Sequence, residues 1–175
     1  MYGDWYNLSF VLLISFIYSL IEIEIEGKDG WMVKIPTPGI IKLGDKNLTI
    51  YHIYMIALLI VSVIFQNNMI LTINSFLYSA SNVFLILFLE DILWFVFNPY
   101  FTIKKYKKEN IWWHSKQPWL FGIPMHNFII SVINLVISYI TSNIFIFYNL
   151  LFSYVFIGLC ILVAPVYHLF YISYH

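Results

Sequence analysis

The chain has 175 residues, of which 61% are hydrophobic and 10% charged, and its nine lysines balance nine acids with no arginine present. Soluble domains sit near half apolar and a quarter charged, so this composition, with a mean hydropathy of +0.81, excludes an ordinary soluble domain and predicts an all-α integral membrane protein. Zero net charge without arginine excludes a nucleic-acid footprint, and a single cysteine, Cys160, excludes an intrachain disulfide framework.

Five apolar runs follow in chain order, and they predict a bundle of about five transmembrane helices. The first, 5–24, lacks a basic leader and a small-residue cleavage site, so it reads as a retained helix rather than a signal peptide. It runs into EIEIEGKDG, which has two readings. If the helix continues to Gly27, then Ser15, Ser19, Glu22 and Glu26 fall within about 60° of one another at about 100° per residue, with Glu24 on the opposite side. Glu22 and Glu26 are then an i,i+4 carboxylate pair directed into the bundle. Like charges at that spacing repel, so a metal ion, a histidine or a shared proton must compensate. The second reading takes the period-two alternation, the GKDG turn and the following WMVKI as a β-hairpin, with Glu24 opposite Lys34. Further along the same loop, IIKLGDKNLTI reads as a small hairpin around Gly44 and Asp45.

The second run, 51–68, opens with His52 and has no clear polar stripe. The third, 76–98, is stopped by Pro99. Ser79, Glu90, Trp94 and Asn98 lie within an arc of about 100°, with Asp91 just past its edge. Glu90 and Asp91 are flanked by FLILFL and ILWFVF. A charge at such depth costs a few kcal/mol, so these acids are expected to face the bundle and to be paired, protonated or bound. The next loop, KKYKKENIWWHSKQPWLFGIPMH, is basic and then aromatic. Lys104, Lys105, Lys107 and Lys108 suit anionic headgroups. Trp112, Trp113 and Trp119 predict either an interfacial helix or re-entrant element carrying His114, or an ordinary aromatic belt. The fourth run, 126–146, opens with His126 and carries the stripe Asn127, Ser131, Asn134, Ser138 and Ser142. The fifth, 149–171, aligns Ser153, Cys160, Tyr167 and Tyr171, with His168 nearby and Pro165 as a kink. Such stripes serve interhelical hydrogen bonding. Without repeats or linkers, residues 1–175 read as one multi-pass membrane domain.

The lysines orient this arrangement. Lys28, Lys34, Lys42 and Lys46 follow the first run, and Lys104, Lys105, Lys107, Lys108 and Lys116 follow the third; the loops after the second and fourth carry none. Five spans put both lysine-bearing loops on one side, which the positive-inside rule makes cytoplasmic. The N-terminus is then outside, the C-terminus is inside, and the expected location is the cytoplasmic (inner) membrane.

Carboxylate and imidazole ligands drawn from separate helices suit Zn, Fe or Mn. The candidate ligands are Glu22, Glu26, His52, Glu90, His126 and His168, and the candidate catalytic groups are Glu90, Asp91 and His114. The candidate lipid-headgroup contacts are Lys104, Lys105, Lys107, Lys108, Trp112 and Trp113. HExxH, ExxH, a histidine box, GxSxG and a phosphate loop are all missing from the sequence. The expected function is a small membrane enzyme with a carboxylate/histidine site at the cytoplasmic leaflet, acting on a lipid or other hydrophobic substrate. Two alternatives stand beside it. One is a proton- or cation-coupled transporter or channel component. The other is a structural or assembly subunit, alone or as an oligomer, whose polar groups only lock the bundle.

Overall fold

The computed structural model describes residues 2–31, 38–43, 46–70 and 72–175. Among these residues the chain forms five α-helices: α1 (Tyr2–Glu26), α2 (Ile50–Gln66), α3 (Ile73–Phe97), α4 (Met125–Thr141) and α5 (Ile144–Tyr174). Three of them, in α1, α3 and α5, are long and apolar enough to cross a membrane; α2 and α4 are shorter apolar helices of 17 residues each. Two small antiparallel ribbons complete the fold, β1 (Gly39–Leu43) with β2 (Lys46–Thr49) and β3 (Trp119–Leu120) with β4 (Ile123–Pro124).

The ambiguity in EIEIE resolves as helix. α1 runs through Glu26 and turns at Gly27, whose φ of +56° is the left-handed ending glycine adopts readily, and the Gly27 amide donates back to the Ile23 carbonyl at 2.8 Å. A helix satisfies its backbone internally while keeping Ile23 fully buried against the core; a ribbon here would have left an edge to be paired. The remainder of WMVKI after Trp31, Lys34 included, lies outside the described residues. The later hairpin does form, as β1 and β2, although Gly44 and Asp45 at its tip also lie outside them.

Helix α3 is the axis of the bundle and touches all four other helices. The contacts fix relative directions. Asn7 pairs with Asn82, and the Asn98 amide donates to the Gly27 carbonyl at 2.9 Å, so α1 and α3 run parallel. Trp5 meets Phe152 and Glu24 meets His175, so α5 runs with them. The Tyr18 hydroxyl donates to the Met55 carbonyl and the Asn67 amide to Ser79, so α2 is antiparallel. Asn127 meets Asp91 and Ser81 meets Asn134, so α4 is antiparallel too. The loops after α1 and α3 therefore share one end of the molecule.

Two boundaries differ from the hydropathy reading. The α4–α5 break falls at Ser142 and Asn143, several residues earlier than expected. Ser142 is left-handed (φ +51°), and the Asn143 side chain accepts from the Phe145 amide at 3.0 Å as an N-cap. The 104–126 stretch is not an interfacial helix. After a single 3₁₀ turn at Ile103–Lys105 it is turns and the β3–β4 ribbon, since Pro118 and Pro124 interrupt any helix there. It folds back over the bundle end and buries Ile111, Trp113 and His114. The Trp113 ring packs against Trp94, Phe95 and Phe101 and over Gly30.

Candidate metal centre and acidic cavity

A cavity of about 210 Å³ lies at this end of the bundle, walled by α1, α2 and α3 and roofed by the two loops. Helix α1 contributes Glu22 and Glu26, α2 contributes His52, α3 contributes Glu90 and Asp91, and the folded-back loop contributes His114. The 3.6-residue repeat explains the first two: one turn apart, they share the face that carries the buried Ser15 and Ser19. The Glu22 and Glu90 carboxyls lie close to each other across the α1–α3 seam, both in the cavity lining. Ionised carboxyls only accept, so this contact requires a proton or a cation between them. His52 has a local task as well: its Nδ1 accepts from the Thr49 amide at 3.2 Å at the start of α2, and its ring lies against Trp31 at 4.8 Å.

Asp91 is the hub of a second, adjoining set. His114 Nε2 lies 3.4 Å from Asp91 Oδ1, and His126 Nε2 lies 3.6 Å from Asp91 Oδ2. One ligand atom from each of these three residues falls within 4.8 Å of the others, a group that can hold a metal ion. The surroundings orient each member. His126 Nδ1 is 2.9 Å from Gln117 Oε1; a carbonyl oxygen only accepts, so Nδ1 carries the proton and Nε2 turns toward Asp91. The Asn127 amide donates to Asp91 Oδ2 at 2.7 Å and to the Tyr106 hydroxyl at 3.0 Å. Tyr106 also hydrogen-bonds Asp91; burial, reinforced by the Asp91 charge, pushes its phenol well above the ordinary tyrosine value, so it remains a donor. Trp119 Nε1 donates to the His114 carbonyl at 3.0 Å and holds the loop in place.

The remaining residues singled out from sequence lie elsewhere. His168 Nε2 lies 3.0 Å from the Val96 carbonyl, outside the cavity lining. Glu24 points away, to His175 at 3.1 Å. Lys104, Lys105, Lys107 and Lys108 are exposed, and Lys105 Nζ donates to the Tyr100 carbonyl at 2.7 Å. Trp112 is exposed, whereas Trp113 is buried against Trp94 and Phe95 and lines the cavity.

The sequence reading missed Gln117 and Tyr106, and took Asn127 only as interhelical glue. A signal for Gln117 was present in PWLFGIP, whose FG turn makes the β3–β4 ribbon. The pairing of Trp119 with Pro124, and the Met125 amide donating to the Pro118 carbonyl at 2.9 Å, bring Gln117 alongside His126. No protein-family model matches the chain, and no curated protein or solved structure matches it either.

Proposed function

We propose that this protein is a small multi-pass membrane enzyme with its reactive centre at the cytoplasmic leaflet. In this reading a divalent transition metal, Zn, Fe or Mn, is held by Asp91, His114 and His126, and the substrate is a lipid or another hydrophobic molecule. The observation that carries the reading is the oriented Asp91–His114–His126 group opening beside an acid-lined cavity. Outer hydrogen bonds of the kind made here by Gln117, Asn127 and Tyr106 are how metal ligands are held in one tautomer and one orientation. A bound ion supplies Lewis acidity. Glu22 and Glu90 take up or release a proton at the substrate, and the aromatic lining excludes water.

All five helices serve as spans in this reading. The 17-residue α2 and α4 are at the short end of the spanning range, and the up-and-down order keeps both lysine-bearing loops on one side, where the positive-inside rule calls for the cytoplasm. The transporter reading draws support from the Glu22–Glu90 contact. It is the weaker one, because a relay needs ionisable groups along the whole depth. At the opposite end the buried polar contact is the neutral Asn7–Asn82 pair.

The test is elemental analysis of detergent-purified protein beside Asp91→Asn and His126→Ala. Stoichiometric metal in the parent, lost in both variants, is the expected result. No metal in protein prepared without chelator, and no change in Tm on adding Zn, Fe or Mn, would leave the Asp91 group as a structural ion-pair network.

A further inference from the structure

We infer that the cavity lined by Glu22 and Glu90 receives a primary ammonium group with a nearby oxygen, an ethanolamine unit being the simplest, either as a lipid headgroup or as the free amine. The inference names a substrate class for the enzyme proposed above and rests on that reading; the cavity shares Asp91 and His114 with the metal centre, while Glu22, Glu90 and Trp94 lie in the cavity and outside that centre. Three features carry it.

The first is charge. Glu22 and Glu90 line the cavity, and no lysine does among the described residues. Two carboxylates set on one cavity only accept hydrogen bonds and repel each other, so the pair calls for a cationic donor. An ammonium with N–H bonds meets that need directly, and a quaternary ammonium does not.

The second is shape. At about 210 Å³ the cavity far exceeds the ~10–15 Å³ that admits one water, so a bare ion would leave it largely empty. Its walls include Tyr18, Trp31, Trp94 and Trp113, whose rings suit an organic cation better than a bare metal ion.

The third is unmet hydrogen bonding. Trp94 is 3% exposed and its Nε1–H has no partner; His114 is 4% exposed and its Nδ1 has none. Both residues line the cavity. Buried polar groups rarely go unpaired. An oxygen beside the ammonium accepts from Trp94 Nε1–H and, because His114 turns Nε2 to the metal and carries its proton on Nδ1, from His114 Nδ1–H as well.

The test uses the full chain in detergent, with thermal unfolding and calorimetric titration against ethanolamine and choline. In parallel, the protein is reconstituted in nanodiscs of choline phospholipid with and without ethanolamine phospholipid. The expected result is stabilisation by ethanolamine or by ethanolamine phospholipid and a weaker effect of choline or none. A response to the free amine assigns a soluble source, and a response to the lipid alone assigns a headgroup; either supports the inference. Glu22→Gln and Glu90→Gln, which preserve shape, should weaken binding more than about tenfold. Trp94→Phe, which keeps the ring and removes the N–H, should weaken it about two- to tenfold. His126→Ala, which removes a metal ligand outside the cavity lining, should weaken binding less than either Glu variant. Absence of any response in folded parent protein would overturn the inference. So would binding that survives in both Glu variants and disappears in His126→Ala, since the ligand would then sit on the metal.

Discussion

Where α1 begins, Asn7 and Asn82 exchange two hydrogen bonds, at 3.2 and 2.9 Å, between parallel helices. Where α1 ends, Glu22 and Glu90 meet across the same seam. The geometry is similar and the chemistry is opposite. Each amide carries both a donor and an acceptor, so the Asn pair is complete in itself. Each carboxylate is acceptor-only, so the Glu pair is incomplete without a proton or a cation. Buried polarity at one end locks helices together; at the other it leaves a need that another species must fill. Around the second pair the chain also builds a cavity, an Asp–His–His group and a roof of loops. The first pair lies beside another neutral contact, the Ser81 hydroxyl donating to Asn134, and an apolar cavity lined by Trp5, Leu8 and Phe152.

The largest effect that would break this contrast is at Asp91. Asp91→Asn is expected to abolish metal binding, and Gln117→Ala to weaken it about 10–100-fold, read by chelator competition. If Gln117→Ala instead leaves affinity unchanged, the orientation of His126 has no functional role. Next is the roof. Gly30 has φ +64°, and a Cβ there would meet the Trp113 ring at 2.6 Å. Gly30→Ala should cost about 2 kcal/mol or more from the left-handed backbone and the clash together, measured by unfolding in detergent. An unchanged stability would mean the loops are not tightly docked on the bundle.

A double-mutant comparison addresses the two pairs directly. Asn7→Leu alone should cost about 0.6–1.7 kcal/mol, the range for interhelical hydrogen bonds in membranes, while Asn7→Leu with Asn82→Leu should be close to neutral because no partner is orphaned. Glu22→Gln with Glu90→Gln should leave the fold as stable as before or more so, while removing ammonium binding. If instead the glutamine pair unfolds the protein, the carboxylates are structural after all. The smallest effect is expected at the exposed lysines. Lys108→Cys should change stability by less than about 0.5 kcal/mol. With Cys160→Ser alongside, it should react with an impermeant thiol reagent from the cytoplasmic side only; labelling from outside would reverse the orientation.

Much of this was legible in the residues. Sustained apolar runs announced helices, because hydropathy and length are local properties. A period of 3.6 residues put Glu22 and Glu26 on one face and turned Glu90 inward, because angle about a helix axis follows from residue number alone. The hairpin of β1 and β2 was likewise readable from its turn residues. Pairing between elements was not. EIEIE alternates like a strand, yet it is helix because Ile23 has a core to enter and the backbone is satisfied internally. The α4–α5 break moved because one capping asparagine, Asn143, outweighed a hydropathy average. His114 reaches Asp91 only because Trp113, one residue earlier, finds an aromatic slot beside Trp94 and Phe95 and draws the loop over the cavity. His126 turns the correct nitrogen toward Asp91 only because the β3–β4 ribbon delivers Gln117 to its other side. Local sequence thus determined that the apolar runs are helical and that Glu90 turns inward, whereas Glu26 took its direction from the packing that kept its segment helical. Tertiary structure decided which histidine meets which acid, because an irregular loop takes its path from the surface it packs on rather than from any repeat within itself.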